Sequence, residues 1–93
     1  MDNKKAMGKH ETLVDILTET LRTTGHIVKK HVEYAHGELD VYDSTTRTYY
    51  EVKCNMTPTS INTARSQIER AIKNDQCRYG YLVTYQGVMD VLL

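Results

Sequence analysis

The sequence predicts one α/β domain: a mixed central sheet flanked by two helices, in the order helix, three strands, helix, strand. Three observations predict it. Leu13, Val14, Leu17 and Leu21 recur at helical spacing. Three short segments rich in β-branched and aromatic residues follow, broken by "HG" and "STT". A second helical stripe of Ile61, Ala64, Ile68, Ala71 and Ile72 then leads to the apolar run "YGYLVTY".

Each element has its own signal. Residues 1–8 read as a flexible tail, and the domain as residues 9–93. The first helix is expected from Lys9 to Thr23, stopped at Gly25. "HIVKKHVEY" reads as a strand near a sheet edge, because charges interrupt its β-branched residues. "ELDVYD" and "RTYYEVKC" form a hairpin around "STT". Pro58 sets the start of the second helix, with Thr59 or Ser60 as its cap. "YGYLVTY" is apolar enough for a central strand, and the helix before it is long enough for a parallel crossover. "QGVMDVLL" reads as a turn and a short final segment.

Composition narrows the function classes. An apolar fraction of 40% is that of a globular chain, not a disordered one. No run approaches the roughly 18 apolar residues of a membrane span, and "MDNKKAMGKH" has no apolar signal core. Cys54 and Cys77 lack metal-ligand spacing and read as free thiols of a reducing, cytoplasmic compartment. Twelve basic and twelve acidic residues balance to zero, mildly against a nucleic-acid partner. Acids clustered at a metal site would leave the remaining surface more basic than that sum.

The hairpin carries the chemistry. Side chains alternate along a strand, so Glu51 and Lys53 share one face. Asp40 shares a face with Tyr42, not with Leu39 or Val41. A turn centred on Ser44 to Thr46 brings Asp40 across from the stretch between Tyr49 and Glu51. Two adjacent carboxylates repel unless a hard divalent cation relieves them. Mg²⁺ or Mn²⁺ held by Asp40 and Glu51, with the Val52 carbonyl adding a ligand, would meet that need. Lys53 would then orient a nucleophile or stabilise charge on a phosphoryl transition state. The same residues also fit an ordinary hairpin with Lys53 as a salt-bridge partner.

At these residues the chain resembles the PD-(D/E)xK nuclease superfamily, with its restriction-endonuclease-like fold. "GELD", with "EVK" eleven positions on, matches the family's acid and acid–any–lysine triplet. Leu39 stands where the motif's proline would be. The resemblance covers about residues 9 to 86 and implies catalytic roles for Asp40, Glu51 and Lys53. It further implies a metal-site role for Glu11 on the first helix and a site role for Gln67 on the second. At 100° per residue Glu11 lies about 115° and Gln67 about 90° from the centre of its helix's apolar stripe, at the flanks. Glu11 also fits a helix N-terminal acid, and Gln67 a surface residue.

Lys29, Lys30, Arg65, Arg70, Lys73 and Arg78 would line a DNA groove or form a solvated face. His10, His26, His31 and His36 show no metal-ligand spacing; His36, beside the hairpin, is the one to follow. The seven tyrosines read as packing groups in place of Phe and Trp. The leading expectation is a metal-dependent DNA endonuclease, like small Holliday-junction resolvases or virus-type nucleases, acting on branched or structured DNA. The alternatives are a catalytically silent DNA-binding module of the same fold and a structural or regulatory protein with incidental hairpin charges. The apolar end "VMDVLL" and the short chain point to a homodimer, with no membrane partner.

Overall fold

The computed structural model describes residues 2–92, with side chains described from Gly8 to Leu92. Met1 and Leu93, the ends of the expected tail and domain, lie outside the described residues. The chain runs α1 (Asp2–Thr23), β1 (Val28–Tyr34), β2 (Gly37–Asp43), β3 (Thr48–Val52), α2 (Pro58–Lys73), β4 (Tyr79–Thr84) and β5 (Gly87–Met89). Five strands form one mixed sheet in the order β1-β2-β3-β4-β5. Only β3 and β4 are parallel, and α2 is the crossover between them. The protein is an α/β domain with one helix on each face of the sheet.

Two cores lie on those faces. Leu13 and Val14 of α1 pack with Val28, Val41, Val52 and Val83. Ala64, Ile68 and Ala71 of α2 pack with Leu39, Tyr49, Cys77, Leu82 and Val91. Leu82 and Val83 are neighbours on β4 and serve opposite faces, as pleating requires. Thr18 is buried on α1 and donates its hydroxyl to the Val14 carbonyl at 2.7 Å, so no polar group is stranded. Gly25, at φ 90°, ends the helix: its N–H reaches the Arg22 carbonyl at 3.0 Å, and the His26 N–H reaches Leu21.

Three sequence expectations are corrected. The backbone is helical from Asp2 rather than from Lys9. No proline interrupts that stretch, and Gly8 alone costs only about 1 kcal/mol. The α2 cap is Thr57, not Thr59 or Ser60: its side chain accepts the Ser60 N–H at 3.1 Å. Pro58 has no N–H to donate and suits the first helical position, so the cap falls immediately before it. The expected turn after β4 is a two-residue loop, Tyr85–Gln86, followed by the strand β5. Leu82 pairs with Met89 and Thr84 with Gly87, and Val91 beyond them is buried against α2.

Strand alternation breaks at one level of the sheet. Val28 packs on the α1 side and Val32 on the α2 side, though an unbroken strand would put both on one face. Val41 and Leu39 of β2 divide in the same way. The register runs Lys30↔Val41 and Val32↔Leu39, which places His31 opposite Asp40 at the fault. His31 has φ 52°, left-handed backbone inside a strand. Asp40 therefore does not follow the strict alternation expected of it.

Candidate metal and active site

The β2–β3 register, Val41↔Tyr50 and Asp43↔Thr48, extends to place Asp40 opposite Glu51. The hairpin turn fixes it: the Thr45 N–H bonds the Asp43 carboxylate at 3.0 Å, and His26 clamps the other oxygen of that buried carboxylate. Asp40 Oδ2 accepts the Val52 N–H at 3.0 Å, which holds the carboxylate against β3.

Glu51 is 3% exposed. The Tyr49 hydroxyl, two residues back on the same face, donates to Glu51 Oε1. Lys53 Nζ lies 3.0 Å from Oε2. Loss of hydration by burial, then the charge of Asp40 and a hydrogen bond with it, push the Glu51 carboxyl up to about 7. Tyr49 and Lys53 pull the other way without cancelling this. Burial and the Glu51 carboxylate likewise raise the Tyr49 hydroxyl far above its ordinary value. Asp40, Glu51 and Lys53 are thus brought together at the centre of the sheet.

A buried Glu51 carboxyl whose proton affinity is raised by the neighbouring Asp40 belongs to a donor set short of positive charge. Lys53 alone does not supply it. Asp40 and Glu51 are hard ligands of the kind Mg²⁺ and Mn²⁺ take, so the residues present fit such an ion. The Val52 carbonyl lies beside them but is engaged: His10 Nε2 is 3.0 Å from it and 3.4 Å from Asp40 Oδ2. A carbonyl has a second lone pair, so this contact leaves Val52 one acceptor site.

Glu11 is placed differently from expectation. It meets His31 Nε2 at 2.7 Å and His10 Nδ1 at 3.8 Å, and among the described residues it forms no ion pair with Lys53. Gln67 is half-buried on α2, and its Oε1 has no hydrogen-bond partner among the described residues. It lies on the same flank as Arg70, about 60° away at 100° per residue. Arg70 reaches the His36 carbonyl in the β1–β2 turn, so this flank faces the β2 side.

The basic residues do not share one face. Lys30 pairs with Asp15 of α1 at 2.8 Å, and Arg65 on α2 donates to the Val91 carbonyl at 2.8 Å. Lys29 of β1 and Lys73 at the end of α2 are exposed, and Arg78 lies over the Tyr79 ring. His36 packs edge-on to Tyr34 in the β1–β2 turn. Sequence reasoning missed His10, His31, Glu38 and the support that Tyr49 gives Glu51. Tyr49 was readable, being two residues from Glu51 on a strand. His31 was readable from the two-residue turn, which sets it opposite Asp40.

Fold and site together define an α/β domain with an acid pair, one member buried, and a lysine on its central hairpin. No known protein family, curated protein or solved structure matches this chain. Among the described residues no helix is long and apolar enough to cross a membrane.

Proposed function

We propose that this protein is a Mg²⁺- or Mn²⁺-dependent deoxyribonuclease of restriction-endonuclease-like fold, a PD-(D/E)xK nuclease acting on branched or structured DNA. The observation that carries the reading is the pair of buried Glu51 and half-buried Asp40, with Lys53 Nζ 3.0 Å from Glu51. A structural ion pair needs one acid for one lysine. Asp40, the second acid, crowds the buried Glu51 carboxyl and makes sense as a cation ligand.

Asp40, Glu51 and the free lone pair of the Val52 carbonyl would hold the ion. When bound, it would lower the pKa of a coordinated water and neutralise charge on the phosphate. The chain's own residues do the rest. The Val52 N–H fixes the Asp40 carboxylate, and the Tyr49 hydroxyl fixes that of Glu51. Glu51 in turn holds the Lys53 ammonium at the mouth of the site, where it would meet charge developing on the phosphoryl oxygens. Tyr49 and Glu51 are buried, which keeps bulk water from the inner side of the carboxylate and strengthens these contacts.

DNA is the partner this chemistry suits, with Lys29, Arg70 and Lys73 free of acidic partners among the described residues to meet its backbone. A homodimer would present two such sites about a two-fold axis, as cleavage of both strands requires. Supercoiled plasmid, linear duplex, single strand and four-way junction, each with Mg²⁺ or Mn²⁺, test the reading. Wild type is expected to cut at least one of them only with metal, and Asp40→Ala to lose that cleavage. Cleavage by Asp40→Ala at the wild-type rate, with contamination excluded, sinks it.

A further inference from the structure

The strand fault that sets His31 opposite Asp40 also gathers a second group of ligand atoms. His31, Glu38 and Asp40 each present one such atom, and these lie within 4.8 Å of one another. His31 Nδ1 is 2.6 Å from Glu38 Oε1. We propose that His31, Glu38 and Asp40 form a second cation site, for a divalent transition-metal ion of the zinc and manganese class, beside the Asp40–Glu51 pair and sharing Asp40 with it.

The ligand set argues for this class of ion. One imidazole nitrogen and two carboxylates supply three ligands, the number an open zinc site uses, with a fourth position left for water. Imidazole favours zinc, copper and nickel over magnesium, which prefers oxygen and sheds its water reluctantly. The Asp40–Glu51 pair offers oxygen alone. Two adjacent sites of different softness would therefore take different ions.

The far side of the ring is an independent sign. Nε2, turned away from the cluster, meets the Glu11 carboxylate at 2.7 Å. A metal-bound histidine commonly donates its other N–H to a carboxylate, which fixes the tautomer and strengthens the ligand. In the metal-free fold both ring nitrogens face carboxylates, Nδ1 toward Glu38 and Nε2 toward Glu11; a bound ion would displace the Nδ1 proton and take that lone pair, with Nε2–H still given to Glu11. Glu11 is then a positioning residue for His31. The left-handed backbone at His31 sets the ring between the two elements. This site needs no phosphodiesterase activity to exist, so it stands or falls separately from the nuclease reading.

Zn²⁺ titrated into wild-type protein with ¹⁵N-labelled histidine rings, at millimolar Mg²⁺, tests it. One equivalent is expected to move the His31 Nδ1 resonance to its metal-bound position, with Nε2 still protonated. His31→Gln should lose at least tenfold in Zn²⁺ affinity, and Glu11→Gln about tenfold through loosened orientation. Glu51→Gln should weaken Mg²⁺ binding and leave the His31 response to Zn²⁺ in place. An unmoved His31 Nδ1 in wild type at saturating Zn²⁺ overturns the proposal, whatever the variants do. So does undiminished Zn²⁺ affinity in a folded His31→Gln, or a Zn²⁺ response abolished by Glu51→Gln alone.

Discussion

Burial and the Asp40 carboxylate push the Glu51 carboxyl up to about 7, so the metal-free fold holds a proton there that the unfolded chain releases near the ordinary glutamate value of about 4.3. The folded state binds more protons between those values, and stability falls as pH rises through that window. The contribution is complete below the unfolded pKa and lost by about pH 7 to 8, up to about 4 kcal/mol in all. Urea unfolding in EDTA from pH 4.5 to 8, wild type against Glu51→Gln, isolates it. The stability difference between the two is expected to move against wild type as pH rises. Millimolar Mg²⁺ should reverse this above pH 7, because it binds the ionised pair only in the fold; at a hundred times its dissociation constant it adds about 2.7 kcal/mol. Parallel pH curves for the two proteins would contradict the mutual crowding of Asp40 and Glu51. Asp40, Glu51 and Lys53 were legible in the sequence because a short turn and the pleat fix which residues meet across a hairpin. His10 and Glu38 were not, since a helix–sheet contact and a broken alternation leave no periodic trace.

Among the elements, the α2 crossover depends on one glycine. A Cβ on Gly80 would stand 2.3 Å from Cγ2 of Ile68, a fully buried residue of α2. The helix lies this close to β4 only because Gly80 has no side chain. Gly80→Ala should cost about 1–3 kcal/mol by overpacking, read as a lower urea midpoint, and Ile68→Ala should partly relieve it in the double variant. Unchanged stability in Gly80→Ala would mean that α2 is not seated as described. The helices were readable from their 3.6-residue stripes, and β4 from its apolar run. The fifth strand was not: Gly87–Met89 is three residues long, and only its pairing with Leu82 to Thr84 makes it a strand. The fault at His31 also escaped periodicity, because both strands break together and the register between them is kept.

At the scale of the whole molecule, the sheet has two free edges, β1 and β5, of unlike character. Exposed Tyr85, Val88 and Leu92 surround the β5 edge, whereas β1 carries Lys29, Lys30 and Glu33. Apolar residues beside an edge strand suit pairing with a second copy, and charged ones oppose it. Light scattering after size-exclusion chromatography at micromolar protein should therefore give about twice the 10.7 kDa chain mass, and Val88→Glu should halve it. A wild-type monomer with full nuclease activity at nanomolar concentration would remove the dimer and the two-strand cleavage built on it. The central claim concerns the acid pair and its lysine, and the most direct measurement compares wild type with Lys53→Ala on one DNA substrate at millimolar Mg²⁺. Substitution removes the charge proposed to meet the phosphoryl oxygens and leaves Asp40 and Glu51 in place. Metal-dependent cleavage should fall by about 10²–10³-fold, with Mg²⁺ and DNA binding retained. Cleavage by Lys53→Ala at the wild-type rate, or no metal-dependent cleavage by wild type of any DNA form, would contradict the account.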